Sequence, residues 1–206
     1  MRKKIFSLAA ILSGLFLWGC YPNGPSYTED LDVVITHHNP DYDFAAKSTY
    51  AMPDKIVKIT GNVQEGEFPE YIKDIYANPI LQHIADNMES LGWTRVEGDA
   101  SPAPGLVLLP AAWETTTITY YYDYWYWWWG GYYPYYPYYP PVYSYSYTTG
   151  TLLMNIDDPT LTGTNGNLIP QWTGALNGVM NDVYNDSRMT KLINQAFDQS
   201  PYLKTN

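Results

Sequence analysis

Cys20 is the only cysteine among 206 residues, so whatever this chain folds into must hold without an internal disulfide, on burial alone. Its position is as informative as its solitude. Met1-Arg2-Lys3-Lys4 is a positively charged start, and Ile5 to Trp18 is an uncharged, mostly apolar run of the length expected for the core of a secretory leader. As a helix that run covers about 20 Å, short of the ~30 Å hydrocarbon core, so it reads as a leader and not as a membrane span. Leu17-Trp18-Gly19-Cys20 then places a small residue before a thiol that can accept diacylglycerol, the arrangement of a lipoprotein processing site. The expected organisation is a signal peptide over 1–19, a lipid-anchored tether over 20–30 rich in Pro and Gly, and a single domain over 31–206.

Removal of Arg2, Lys3 and Lys4 with the leader lowers the basic count from 11 to 8 against 21 acids, and the formal charge from −10 to −13. Such a body has no electrostatic attraction for nucleic acid or anionic headgroups, so no nucleic-acid partner is expected. A hydrophobic fraction of 46% suffices for one core.

Leu31 to Thr36 is a β-branched run that predicts a first strand, ended by His37-His38-Asn39-Pro40. Ser48 to Met52 and Ile56 to Thr60 are shorter extended candidates. Asn78-Pro79 predicts a helix start; Ile80, Leu81, Ile84, Met88 and Leu91 follow on one face, and Gly92 is the stop. Residues 70 to 77 predict a preceding helical piece, broken at Pro79. Trp93 to Glu97, Leu106 to Tyr122, Thr148 to Asp157 and Ile169 to Met180 read as strands, with a loop from Pro159 to Asn167. Asp186-Ser187 predicts the cap of a last helix whose stripe is Met189, Leu192, Ile193, Ala196 and Phe197, ended by Ser200-Pro201. The order argues an α+β fold, an antiparallel β-sheet with two α-helices packed on one face.

Residues 120–147 stand apart. They hold Tyr120-Tyr121-Tyr122, Trp127-Trp128-Trp129 and Tyr135-Tyr136-Pro137-Tyr138-Tyr139-Pro140, with Asp123 the only charge. Proline every third residue excludes a regular helix or central strand there, and Gly130-Gly131 marks a turn-back, so a long aromatic β-hairpin insertion is expected. Three readings stay open for it: self-packing low complexity, an interaction surface for an envelope partner, or glycan stacking on ring faces. Trp125, Trp127, Trp128, Trp129, Tyr135 and Tyr138 are the candidate binding residues. Absence of Lys and Arg from the stretch argues against single-stranded nucleic acid.

Other candidates are weaker. His37 and His38 with Asp41 and Asp43 resemble a ligand cluster, but adjacent strand residues point to opposite faces, so no metal site is expected. Glu114, Asp123, Asp157 and Asp158 contain a conceivable pair for glycoside hydrolysis, although Asp157-Asp158-Pro159 reads more simply as a strand-ending turn. No Gly-x-Ser-x-Gly elbow, Walker or dinucleotide motif occurs, and no cofactor is expected. His83 flanks the helical stripe.

From Asp43-Phe44 and Ser48-Thr49-Tyr50-Ala51 onward, the chain resembles the bacterial lipoprotein family of domain of unknown function 4136. The likeness continues through Leu91-Gly92-Trp93, Leu106-Val107-Leu108, Gly150-Thr151-Leu152, Ile156-Asp157 and Trp172-Thr173-Gly174-Ala175, spanning about residues 31 to 200. It implies an α+β envelope lipoprotein with no agreed activity. Thr173 stands where the family usually has arginine, so an anion-binding role for that arginine does not transfer. The combined expectation is a non-enzymatic binding or scaffolding protein of the cell envelope. Its Cys20 would carry diacylglycerol and palmitate-type acyl chains on the periplasmic face of the outer membrane, surface display remaining an alternative. A glycan-binding accessory protein is the alternative function, and a hydrolase built on acidic residues the third.

Overall fold

The computed structural model describes residues 32–59, 70–113, 150–162, 168–180 and 184–205. Contacts divide the chain into Met1–Leu31 and Asp32–Asn206, and the described residues all belong to the second unit. Its elements are β1 (Val33–His38), β2 (Thr49–Ala51), β3 (Val57–Ile59), β4 (Glu70–Tyr71), α1 (Asp74–Ser90), β5 (Thr94–Arg95), β6 (Leu106–Trp113), β7 (Thr151–Thr162), β8 (Leu168–Asn177) and α2 (Asp186–Asp198).

The sheet is mixed, which corrects the antiparallel expectation. β1, β8, β7 and β6 run antiparallel to one another in that order, but β2 lies parallel to both β6 and β5, and β3 is parallel to β6. Parallel neighbours need a long crossover, and α1 lies in the chain between β2 and the strands that flank it. Pro110 fits inside the central β6 because β2 registers with Tyr50↔Leu106 and Ala51↔Val107 while β3 registers from Ala111 onward. The missing N–H therefore falls in the gap between two short parallel partners.

Both helices cover one face. Ile80, Leu81, Ile84 and Met88 of α1 and Met189, Leu192, Ile193, Ala196 and Phe197 of α2 cluster with Leu106, Leu108, Leu152, Met154, Ile156, Trp172 and Leu176 of the sheet. These are the two predicted stripes. α1 nevertheless starts four residues before Asn78, at Asp74, and Pro79 sits inside it. Proline there removes only the bond to the carbonyl of Ile75, a residue at the surface where water reaches the freed group. Gly92 has φ +94° and closes the helix as expected. The N-cap of α2 is Asn185, whose side chain accepts from Arg188 N at 3.0 Å, and not Asp186.

Three boundaries differ from expectation. β1 runs on through His37 and His38, paired with Thr173 and Trp172. The expected helical piece over 70–77 is helical from Asp74 on, as the first turn of α1, but opens as the short strand β4. β7 does not end at Asp157 but continues through Asp158 and Pro159 to Thr162, with a register irregularity after Asp157 that absorbs the proline. Trp113 pairs with Thr151, so the chain leaves β6 and enters β7 at facing positions. The expected aromatic hairpin over 120–147 lies between them, outside the described residues.

Candidate functional site

Three groups of polar side chains among the described residues are the candidates for a site. The first is on β7, where Asp157 lies beside Val107 on one face and Asp158 meets Tyr42 and Lys47 on the other. Asp158 is buried, yet saturated. Its Oδ2 accepts from the Tyr42 hydroxyl at 2.7 Å and lies 3.2 Å from Lys47 Nζ, while Oδ1 accepts from Thr160 N at 2.8 Å and Thr160 Oγ1 at 2.6 Å. Burial opposes its ionisation, but the hydrogen bonds from Thr160, Tyr42 and Lys47 outweigh that and hold the carboxyl below its usual range. Burial, and then the bond to Asp158, push the Tyr42 hydroxyl well above its ordinary value.

Asp157 is the reverse case. It is fully buried, cross-strand from Val107, and neither of its oxygens has a hydrogen-bond partner among the described residues. Burial alone raises its pKa to about 8, so at neutral pH it is mainly the uncharged acid. Two carboxyls on opposite faces of one strand cannot flank a single glycosidic bond, so Asp157 and Asp158 are not the pair that such hydrolysis needs. The other two acids of that expectation, Glu114 and Asp123, lie outside the described residues.

The second group joins the helices. His83 Nε2 of α1 lies 3.1 Å from Asp186 Oδ1 and 2.8 Å from Thr190 Oγ1, both on α2, and Tyr184 donates to the same Asp186 oxygen at 2.7 Å. A histidine between a carboxylate and a hydroxyl suggests a nucleophilic triad, which the geometry denies. A relay needs the acid on one ring nitrogen and the hydroxyl on the other, whereas here both meet Nε2. Thr190 Oγ1 also donates back to the carbonyl of Asp186 at 2.8 Å. Asn87 Nδ2 to Asn194 Oδ1 at 2.8 Å continues the same seam, so these groups clasp α1 to α2. The Tyr184 bond, followed by the one from His83, holds the Asp186 carboxyl below its usual range.

The third is the candidate metal cluster. His38 stacks on Tyr202 with ring centroids 3.7 Å apart, and His37 faces the other way, opposite Thr173. Asp43 accepts from Ala45 N at 3.1 Å as the cap of a short 3-10 turn, Phe44–Ala46. No group of three or more His, Cys, Asp or Glu able to hold a metal ion occurs among the described residues. One concavity among the described residues runs along α2 beside that seam, past Asp186, Thr190, Asn194 and Asp198, and is lined by α2 alone. A wall made by one helix encloses no ligand.

Cys20 and the candidate binding residues Trp125, Trp127, Trp128, Trp129, Tyr135 and Tyr138 lie outside the described residues. No helix among the described residues is long and apolar enough to cross a membrane. A further feature escaped the sequence reading: Tyr71, Ile75 and Tyr76 are exposed at the start of α1, and the Tyr76 ring lies 5.3 Å from that of Tyr184. The signal was available, since Ile75 and Tyr76 fall off the buried stripe of the helix.

Fold and geometry thus define an α+β domain, one mixed sheet with two helices on a face, whose close polar contacts join its own elements. The chain belongs to the family described as a domain of unknown function, DUF4136, whose model matches residues 34–202. A DUF4136 family protein from Bacteroides thetaiotaomicron VPI-5482 is similar in structure, with a TM-score of 0.59 and 25% identity, over 84% of this chain and 97% of that one. A PelC dodecamer from Paraburkholderia phytofirmans gives a TM-score of 0.40 at 14% identity, over 82% and 97% of the two chains. A PDZ domain protein from Parabacteroides distasonis gives 0.42 at 17%, over 83% of this chain and 36% of that one. These last two likenesses are too slight to carry an argument. No curated protein matches the chain.

Proposed function

We propose that this protein is a lipid-anchored component of the cell envelope with a non-enzymatic binding or scaffolding role, its aromatic stretch 120–147 serving as the interaction surface. The observation that carries the reading is the leader ending in Leu17-Trp18-Gly19-Cys20, followed after a short Pro- and Gly-containing tether by a compact unit that begins at Asp32. Acyl chains on Cys20 hold that unit at the periplasmic face of the outer membrane. The scaffolding half of the reading is supported by where the polar chemistry goes. Asp32 with Arg188, Asp158 with Lys47, and His83 with Asp186 each tie one element of the fold to another.

Cys20→Ser is expected to release the protein from membranes or leave an unprocessed precursor. Intact-mass spectrometry checks it directly: a wild-type chain with a bare thiol at position 20, or with residues 1–19 still attached, would overturn the anchor. A second reading, glycan binding, is favoured by the ring-rich stretch itself, since a ring face covers the C–H face of a sugar. Retention on insoluble cell-wall glycan that disappears when residues 125–141 are deleted would select it over a protein partner.

A further inference from the structure

We propose that the corner of the domain around Tyr71, Ile75, Tyr76 and Tyr184 is a membrane-contact surface that rests in the phospholipid headgroup zone beside the root of the tether. This rests on the reading that Cys20 is lipidated. Three observations converge on it. Ile75 is 72% exposed, Val33 48%, Tyr71 39% and Tyr76 38%, large apolar groups that the fold leaves in water at a cost. Tyrosine has an apolar body and a polar tip, which suits the boundary between acyl chains and water.

The second observation is where the tether joins. The chain enters the unit at Asp32, whose carboxylate is gripped by the Arg188 guanidinium through both Nε, at 2.7 Å, and Nη2. Arg188 lies in the first turn of α2, where Tyr184, just before the helix, donates to Asp186 at 2.7 Å, and Tyr184 touches Tyr76. The exposed corner and the root of the tether are therefore neighbours. Residues 20–31 reach at most about 40 Å when extended and about 20 Å as a flexible coil, so the anchor keeps this end of the domain at high local concentration near the bilayer.

Charge is the third. Only eight basic residues remain once the leader is gone, and three of them, Lys55, Lys58 and Lys73, belong to this corner. Lys55 lies over the Tyr71 ring at 5.4 Å and 3.8 Å from Asp74, and Lys58 lies 3.6 Å from Glu70. In a strongly acidic body this corner is locally close to neutral, and its repulsion from a phospholipid surface is correspondingly small.

The sole native cysteine makes the experiment clean. In the lipidated Ile75→Cys chain Cys20 is blocked by its acyl group, so an environment-sensitive thiol label reacts at position 75 alone. Reconstituted in phosphatidylethanolamine and phosphatidylcholine vesicles, that label is expected to shift to the blue and to be quenched by spin-labelled lipid. The same label on a Cys20→Ser, Ile75→Cys chain in buffer gives the water-exposed reference, and Glu89→Cys, at the far end of α1, is expected to stay unquenched. Adding Tyr76→Ser should weaken contact about fivefold. Circular dichroism of each labelled chain confirms that these surface changes leave the fold intact. One label per chain with emission equal to the soluble reference would overturn the contact while leaving the anchor standing. Two labels per chain would show a free thiol at position 20 and overturn the anchor itself. Quenching that appears only after envelope proteins are added would assign the corner to a protein partner, and equally overturn the proposal.

Discussion

Asp157 and Asp158 are adjacent on β7 and chemically identical, yet the two faces of the sheet treat them in opposite ways. On the helix-covered face the polar atoms have partners: Asp158 has Lys47, Tyr42 and Thr160, Trp172 Nε1 donates to Ser200 Oγ at 2.8 Å, and Trp93 Nε1 donates to the carbonyl of Leu203 at 2.7 Å. On the other face Val107, Leu109, Ala111, Leu153 and Ala175 form a second buried cluster. Asn155 and Thr173 meet there at 2.9 Å, and Asp157 has no hydrogen-bond partner among the described residues. Burial alone does not set the state of a carboxyl. What sets it is whether donors are buried with it, which makes one acid a structural anion and its neighbour a neutral acid.

The sharpest way to break this comparison is pH. Asp157 has a folded-state pKa raised to about 8 against 3.8 for an ordinary aspartate, so between those limits the unfolded chain binds fewer protons than the folded one. Stability attributable to this residue is therefore full below about pH 4 and falls as pH rises, by at most ~1.4 kcal/mol per unit, until about pH 8. Asp157→Asn removes the titration with little change of shape. At pH 4 variant and wild type should agree within ~1 kcal/mol, and the variant should then gain steadily, by several kcal/mol at pH 8. Urea midpoints from pH 4 to 9 measure it, and parallel profiles would show that Asp157 finds a partner in solution.

Asp158 should respond with the other sign. Its folded pKa is lowered, so its contribution is present above the unfolded value and is lost as pH falls through the folded one. Asp158→Ala at pH 7 strands Lys47 and the Tyr42 hydroxyl. A cost of ~3 kcal/mol is expected, at the low end for a broken buried pair because the Lys47 side chain is 30% exposed and can turn to water. A loss below ~1 kcal/mol in denaturant unfolding would mean that the two faces differ less than the geometry says.

How much of this was legible beforehand follows the range of the physics. The buried stripes of α1 and α2 and the stop at Gly92 are local, written in 3.6-residue spacing and a glycine, and they were readable. The parallel pairing of β2 and β3 with β6 was not, because strand direction is decided by which residues meet across the crossover, and no short window holds both partners. Pro159 misled for a related reason: proline ends most strands, but an irregularity beside Asp157 lets β7 pass through it. Which of the four candidate acids could stand together is not legible in the sequence, and the opposite orientation of Asp157 and Asp158 follows only once the strand is known to continue through them. The signature Trp172-Thr173-Gly174 was recognised without its reason. The structure supplies one.

Gly174 lies two residues from Trp172 on the same strand, so both project to the helix-covered face. A methyl group at Gly174 would sit 2.5 Å from Trp172 Cη2, 3.0 Å from its Cζ2 and 3.1 Å from Met154 Cε. The indole is held from its far side by Ser200 and by Phe197, whose ring is stacked at 5.5 Å. It cannot swing away without losing the bond to Ser200. Gly174→Ala should therefore cost ~2 kcal/mol through overpacking, although alanine is otherwise the better strand residue. Glycine here is a packing requirement of the indole and not a demand of the backbone, and a double variant separates the two. If Trp172→Phe restores the stability lost in Gly174→Ala, the tryptophan is what the glycine makes room for. If the losses simply add, the helix-covered face is looser than its distances imply, and the contrast with the Asp157 face loses its basis.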